Sequence, residues 1–111
     1  MTAFQDTTDR REALRPSLAF ERHRSEIRAI VARHRGANPR VFGSVARGED
    51  TEASDLDLLV DPQPDGRLSL FDLSAIYLEI EDLLGVPVQV TTPGSFPPEI
   101  LARVEREARA V

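Results

Sequence analysis

Apolar residues recur at helical spacing in three stretches of the chain, at about residues 18–35, 70–84 and 98–109. Ser69 and Asp72 have the spacing of a capping box at the start of the second stretch, and Gly85 can end that stretch in a left-handed conformation. The pattern therefore predicts three amphipathic helices, each of which buries one face.

Three shorter runs between these helices are predicted to be strands: residues 40–42, 55–61 and 86–92. In the second run one face carries Leu56, Leu58 and Val60, and the opposite face carries Asp55, Asp57, Leu59 and Asp61. A short helical turn is predicted at 45–47, directly after Gly43-Ser44. This order of elements predicts an α+β fold in which a small mixed sheet is flanked by helices.

Length and composition predict a single globular domain. A chain of 111 residues can bury one modest core without disulfides, and it contains no cysteine. Residues 1–16 are polar and end in a proline, so they are predicted to form a tail, with the domain spanning 17–111. The sequence shows no secretory signal and no apolar run near the roughly 20 residues of a membrane span. A soluble, cytoplasmic protein is expected.

The charge distribution argues against direct binding to nucleic acid. The formal net charge is -5, and every basic residue is an arginine. Sequence-independent binding depends on a dense basic surface that neutralises phosphates, which this chain lacks. The only basic bias lies between Arg22 and Arg40 and is interpreted as a solvated helix face, with His23 and His34 as surface residues.

The first candidate for chemistry is Gly43-Ser44, at the end of a predicted strand. A glycine and a small hydroxyl residue at the start of a helical turn can expose backbone N–H groups to a phosphate. A tight bend alone also explains the pair, because glycine is the usual residue for such a turn. The pair by itself leaves both interpretations open.

The second candidate is Ser54-Asp55-Leu56-Asp57, which places two carboxylates on one strand face, about 7 Å apart along the backbone. Like charges this close are unfavourable without a counter-ion, and oxygen ligands at this separation suit Mg²⁺, which also bridges to substrate phosphates. The alternative is an exposed edge made acidic to prevent aggregation. The motif therefore predicts either a Mg²⁺ site or a protective edge.

Together, the two candidates and their spacing resemble the signature of the nucleotidyltransferase superfamily related to polymerase beta. The resemblance rests on residues 41–48, which read VFGSVARG, and on residues 54–60, which read SDLDLLV. The Ala-Arg-Gly after Gly-Ser, the loop length and the small size are similar to the minimal nucleotidyltransferases, the antitoxin partners of HEPN-fold ribonuclease toxins. The similarity extends from about residue 20 to the C-terminus.

This resemblance implies a polymerase-beta-like nucleotidyltransferase fold and specific roles for the matching residues. The implied nucleotide-binding residues are Gly43, Ser44, Arg47 and Ser54, and the implied catalytic residues, which would also bind Mg²⁺, are Asp55 and Asp57. The implied reaction transfers a nucleoside monophosphate, AMP from ATP, to a hydroxyl and releases pyrophosphate. For Arg47 the competing interpretation is a salt bridge to Glu49, Asp50 or Glu52.

One position departs from the family pattern. The family carries a third carboxylate on the later strand, and the matching residue here is Gln89. An amide brings no negative charge and cannot take a proton from a hydroxyl. Asp61 cannot replace it, because it lies about 13 Å along the strand from Asp57. The departure predicts reduced or absent catalysis, since a general base contributes about 10² to 10⁴ in rate.

Three functions stay open at this point. The first is an antitoxin that attaches AMP to a hydroxyl of a HEPN-type toxin, and the second is a catalytically lapsed antitoxin that neutralises its partner by binding. The third is nucleotidyl transfer to a small molecule such as an aminoglycoside, which would need a second pocket wall from an oligomer or partner. A half-walled pocket in so small a domain also predicts an exposed apolar patch or a homo-oligomer.

Overall fold

The computed structural model describes residues 15–111. Residues 1–14, which make up most of the predicted tail, lie outside the described residues. Arg15 precedes the first helix, and Pro16 begins that helix as a buried residue. The boundary between a tail and the domain stays a prediction.

The first predicted helix consists of two helices. α1 spans Pro16–Arg22 and α2 spans Arg24–Arg33, and they are separated at His23, whose φ of -129° and ψ of 26° are not helical. The prediction of one continuous helix is therefore wrong at this residue. The apolar pattern carries no signal of the break, because Phe20 before it and Ile27 after it are buried in the same core.

Four strands form one mixed sheet. Their bounds are Gly36–Phe42 for β1, Leu56–Pro62 for β2, Val88–Thr91 for β3 and Arg109–Ala110 for β4. The order across the sheet is β3-β2-β1-β4. β1 is antiparallel to both β2 and β4, whereas β2 is parallel to β3. This sheet confirms the predicted α+β class.

β1 begins at Gly36, well before the predicted strand over 40–42. Gly36 and Ala37 pair with β2, although they lie in a segment whose composition resembles a helix stop. The register shifts between Ala37 and Arg40, and Asn38 between them has a positive φ of 50°. An irregularity in the strand therefore accommodates residues that the sequence pattern assigns to a turn.

The remaining helices are α3 (Gly43–Arg47), α4 (Leu70–Leu84) and α5 (Pro98–Glu107), with a 3₁₀ turn (Pro93–Ser95) before α5. α4 begins with the predicted capping box: Ser69 Oγ accepts the Asp72 N–H at 3.1 Å, and the Asp72 carboxylate accepts the Ser69 N–H at 2.9 Å. Gly85 ends α4 with a φ of 71°. Both predicted end signals are confirmed. In the part of the chain that the structure describes, no helix is long and apolar enough to cross a membrane.

One face of the sheet packs on α1, α2 and α4 to form the hydrophobic core. Leu56, Leu58 and Val60 of β2 are fully buried on this face, as the alternating pattern predicts. Each fully buried leucine stabilises the fold by about 1.5–3 kcal/mol relative to an exposed one. The strand residues that alternate with these, including Asp57, lie on the opposite face.

The opposite face of the sheet is only partly covered. α5 lies against β1 and α3, and the Phe96 ring packs on Phe42 in an edge-to-face arrangement with centroids 6.0 Å apart. Leu59 lies on this face, as predicted, and is fully buried, whereas Asp57 is half-buried and Gln89 is exposed. The C-terminal segment therefore covers part of the face and leaves the region around Asp57 accessible.

Candidate active site

A row of paired residues across the sheet brings the two sequence motifs together. Phe42 of β1 pairs with Asp57 of β2, and Asp57 in turn pairs with Gln89 of β3. Gly43 follows Phe42 directly, so the glycine turn begins beside Asp57. Strand register therefore places the turn, the acid pair and Gln89 in one neighbourhood.

Gly43 combines a left-handed backbone with a close contact. Its φ is +71°, and a Cβ built on it would lie 2.3 Å from Asp57 Oδ2. A non-glycine residue here would therefore be strained and would also displace the Asp57 carboxylate. The interpretation of Gly43 as an ordinary bend accounts for the backbone angle but leaves this contact unexplained.

Gln89 contacts the other acid of the pair. Its Nε2 donates to Asp55 Oδ2 at 3.1 Å. Asp55 lies one residue before β2 begins, rather than within the strand as predicted. Gln89 is therefore paired in register with Asp57 through the backbone, and its uncharged amide donates a hydrogen bond to Asp55.

Burial raises the pKa of Asp57, and the neighbouring charge of Asp55 raises it further. Desolvation acts in this direction because a half-buried carboxylate loses the water that stabilises its charged form. The Arg47 guanidinium lowers the pKa, and the Glu107 carboxylate adds to the rise. A cation beside the pair would relieve both the desolvation and the repulsion.

Glu107, the last residue of α5, contacts the glycine turn, and the sequence pattern did not predict this contact. Its Oε2 accepts the Gly43 N–H at 2.8 Å, and its Oε1 accepts a hydrogen bond from Arg47 Nη1 at 3.1 Å. Arg47 also donates from Nε to Glu49 Oε1 at 2.9 Å, which confirms one of the predicted salt bridges. Glu49 and then Glu107 raise the pKa of Arg47. The turn and the arginine together bind one carboxylate.

The two serines of the predicted nucleotide-binding set differ in position. Ser44 is the second residue of α3 and is half-buried, and its carbonyl accepts the Glu49 N–H at 2.9 Å. Ser54 Oγ accepts the Thr51 N–H at 2.9 Å and so closes a turn in the loop before Asp55. A role for either hydroxyl in nucleotide binding stays a prediction.

Asp61 and the two histidines have other partners. Asp61 accepts hydrogen bonds from Arg40 at 2.7 Å and from Asn38 at 3.1 Å, and its exclusion from the site stays a prediction. The histidines contact carboxylates of the helices: His23 with Glu26, and His34 with Glu79. The Asp61 contacts join β1 to β2, the His34 contact joins α2 to α4, and the His23 contact is local to the start of α2. None of these contacts involves the acid pair.

The acid pair fits a cation that arrives with a polyphosphate. Among residues 15–111, no three His, Cys, Asp or Glu side chains are grouped as a preformed metal site. Mg²⁺, however, is usually held by one or two carboxylates together with substrate phosphates and waters. Asp55 and Asp57 are the residues that would hold it, because they lie together on the accessible face of the sheet beside an anion-binding turn.

The Gly43 turn packs on Asp57 of β2, and β3 runs parallel to β2 beside it. This arrangement is that of the class of nucleotidyltransferase domains. A family model described as "Nucleotidyltransferase domain" matches residues 24–111. The chain belongs to this family.

Individual relatives agree with the family. The chain is similar to a protein of Methanocaldococcus jannaschii named a putative protein adenylyltransferase, with 39% identity over 83 residues that cover 75% of this chain and 87% of the relative. A second protein of that organism and description is 35% identical over 81 residues, which cover 65% of this chain and 80% of the relative. A solved structure described as a putative minimal nucleotidyltransferase has a TM-score of 0.71 at 40% identity and covers 83% of this chain and 95% of that one. The predicted fold is confirmed, and the function is of the nucleotidyltransferase type.

Proposed function

We propose that the protein transfers AMP from ATP to a hydroxyl of a HEPN-type toxin and thereby acts as its antitoxin in the cytoplasm. The contact of the Gly43 turn with Asp57 is the observation that carries this proposal. The contact places a turn that binds an anion beside two carboxylates that can bind Mg²⁺. A nucleoside triphosphate bound with Mg²⁺ requires both groups. The relatives named as protein adenylyltransferases support AMP as the transferred group and a protein as the acceptor.

In this reaction the acceptor hydroxyl oxygen forms a bond to the α-phosphorus of ATP. The bond from that phosphorus to the bridging oxygen breaks, and pyrophosphate leaves. The Gly43 N–H and Arg47 would bind phosphate oxygens, since they already bind a carboxylate together. Asp55 and Asp57 would hold Mg²⁺, which when bound supplies positive charge against the phosphates.

Gln89 limits the reaction at the acceptor hydroxyl. The hydroxyl must lose its proton during attack, and a neutral amide cannot accept that proton. Gln89 donates to Asp55, so it stabilises the negative charge of the pair without supplying a third carboxylate. Nucleotide binding should therefore persist while transfer is slow.

An exposed apolar surface on α4, the helix that borders the groove beside Gln89, supports a protein as the acceptor. Leu70, Phe71 and Leu78 of α4 are 80%, 88% and 59% exposed. An open groove of about 420 Å³ between α4 and β3 is lined by residues that include Leu70, Tyr77 and Gln89. Exposed apolar residues in such a group mark protein–protein contacts. The toxin would dock on this surface, and a second copy of the chain is the competing occupant.

The test is Mg²⁺-dependent transfer of label from [α-³²P]ATP to a purified HEPN-type toxin, taken from the neighbouring reading frame if that frame encodes one. We expect wild type to label the toxin slowly, and Asp55→Asn and Asp57→Asn to leave it unlabelled. Glu105→Gln is the matched control, because Glu105 is an exposed acid on α5, away from the proposed docking surface on α4. Toxin that stays unlabelled with wild type and with Gln89→Asp would overturn the proposal.

The hydrogen bond from Gln89 to Asp55 also favours a second candidate, an antitoxin that neutralises its toxin by binding alone. Inhibition of the toxin's ribonuclease activity separates the two candidates. If binding alone suffices, inhibition needs no ATP and survives Asp57→Asn, but it is lost when Leu70 and Phe71 are replaced by serine. If transfer is required, inhibition depends on ATP and on Asp57.

A further inference from the structure

Glu107 occupies the groups to which the proposed function assigns a phosphate. One carboxylate oxygen accepts the Gly43 N–H at 2.8 Å, and the other accepts from Arg47 at 3.1 Å. The Glu107 side chain is 25% exposed, against 48% for Arg47. Carboxylate and phosphate oxygens accept charge-assisted hydrogen bonds from the same donors. A phosphate that uses the Gly43 N–H must therefore take the place of Glu107.

The position of Glu107 in the fold places its carboxylate beside the Gly43 turn. Glu107 ends α5, which lies against α3, and two residues later Arg109 pairs with Val41 of β1. Gly43 is two residues beyond Val41, so the pairing of β4 with β1 holds the end of α5 beside the turn. Rotation about the side-chain torsions of Glu107 would withdraw its carboxylate while β4 stays paired.

We propose that Glu107 is an intramolecular gate, which binds Gly43 and Arg47 in place of a phosphate until a nucleotide displaces it. This inference rests on the proposed function, because it takes the same turn as the triphosphate site. When Glu107 competes in this way, the apparent dissociation constant for the nucleotide equals the intrinsic constant divided by the fraction of molecules whose turn is free. A turn that is free in about one molecule in ten gives an apparent affinity about tenfold weaker than that of the open turn.

The surrounding charges agree with a gate. Glu107 contributes to the raised pKa of Asp57, after desolvation and Asp55, so its carboxylate lies within electrostatic range of the acid pair. A triphosphate that enters beside Gly43 would meet the two proposed Mg²⁺ ligands and Glu107, and the Glu49 carboxylate also accepts from Arg47. Loss of the Glu107 charge should favour phosphate binding without removing a ligand.

Glu107→Gln tests the gate, because the amide keeps the size of the side chain and an oxygen acceptor but loses the charge. Glu105→Gln is the matched control, since Glu105 is exposed on the same helix and the formal charge lost is the same. Affinity for Mg²⁺-ATP is measured by titration calorimetry, with Mg²⁺-tripolyphosphate as a probe that lacks the nucleoside. We expect Glu107→Gln to bind both probes about tenfold more tightly, and Glu105→Gln to stay within about twofold of wild type.

A second variant, Glu107→Asp, keeps the charge but shortens the side chain by one methylene, so it loosens the gate even if the glutamine variant is unstable. Its affinity for both probes should also rise. Unchanged or weaker affinity in these two variants would overturn the gate and make Glu107 a positioning residue for the turn. If neither wild type nor any variant binds ATP, the proposed function itself fails, and the gate fails with it.

Discussion

The Asp57 carboxylate lies directly against the backbone of Gly43, where a Cβ would stand 2.3 Å from Asp57 Oδ2. The contact arises because Asp57 pairs with Phe42 and the chain turns at the next residue. It joins two motifs that a polar loop separates in the sequence. Gly43 therefore forms the turn and also contacts the Asp57 carboxylate.

Replacement of Gly43 by alanine should destabilise the protein and abolish Asp57-dependent ATP binding. The new side chain must adopt a φ of +71°, and its Cβ must displace the Asp57 carboxylate. The left-handed backbone alone costs about 1–2 kcal/mol. The measurements are the free energy of unfolding in urea and the affinity for Mg²⁺-ATP.

Gly48→Ala separates these two effects. Gly48 has a φ of +73°, but within residues 15–111 no atom beyond its immediate chain neighbours lies within 4 Å of the position of its Cβ. This variant should lose a similar free energy of unfolding, about 1–2 kcal/mol, and should bind ATP like wild type. Equal ATP affinity in Gly43→Ala and Gly48→Ala would contradict a functional role for the contact with Asp57.

Asp57→Asn should raise the melting temperature at neutral pH in the presence of EDTA. Burial, then Asp55, raises the pKa of Asp57 in the folded protein, so the folded state binds its proton more tightly than the unfolded state does. The stabilisation that comes from this tighter proton binding is fully present below the pKa of Asp57 in the unfolded chain. It is lost as the pH rises through the pKa of Asp57 in the folded protein. At neutral pH wild type therefore carries the full cost of a charged, half-buried carboxylate, which asparagine removes.

Melting curves across the acidic range check the sign of this effect. The advantage of Asp57→Asn over wild type should shrink as pH falls through the raised pKa of Asp57. The control is Asp82→Asn, an exposed acid on α4, which should show no such trend. A variant that melts below wild type at neutral pH would be the contrary result.

Asp50 connects α1 to the loop between the motifs at residues 41–48 and 54–60 through a hydrogen bond. It is only 4% exposed, and its Oδ2 accepts the Ser17 N–H at 2.8 Å in the first turn of α1. Asp50→Ala should lower the free energy of unfolding by about 1–3 kcal/mol, because it leaves a partly buried donor without its acceptor. Asp50→Asn keeps an oxygen there and should lose less. Equal losses in the two variants by urea denaturation would argue against the hydrogen bond.

Much of the site could be predicted from the sequence because its residues lie close together along the chain. Gly43 ends one strand, and Asp57 lies near the start of the next, so a single antiparallel pairing brings them together. The alternation of Leu56, Leu58 and Val60 also indicates which face of β2 carries the acid. The family resemblance singled out Gln89 as a residue of the later strand. In the structure Gln89 lies on β3, paired with Asp57.

The elements that the sequence pattern missed depend on contacts between distant residues. Glu107 lies 64 residues from Gly43, and no periodicity links them. β4 has only two residues, which is too short for an alternating pattern to show. The break at His23 and the early start of β1 likewise depend on packing and strand pairing, because their local composition indicates a continuous helix and a turn.

Replacement of Gln89 by an acid tests the account most directly. Residue 89 is paired with Asp57 and hydrogen-bonded to Asp55, so an aspartate there would add a carboxylate to the pair. Gln89→Asn is the matched control, because it has the length of aspartate without its charge. ATP affinity is measured for each variant in parallel, and it should change little in Gln89→Asp.

The decisive measurement is the Mg²⁺-dependent rate of AMP transfer to the proposed toxin partner by wild type, Gln89→Asp, Gln89→Asn and Asp57→Asn. We expect Gln89→Asp to raise the rate by about 10² or more, through the restored base and metal ligand. Gln89→Asn should not exceed wild type, and Asp57→Asn should abolish transfer. Fast transfer by wild type that Gln89→Asp leaves unchanged would contradict the account, because another acid would then complete the site.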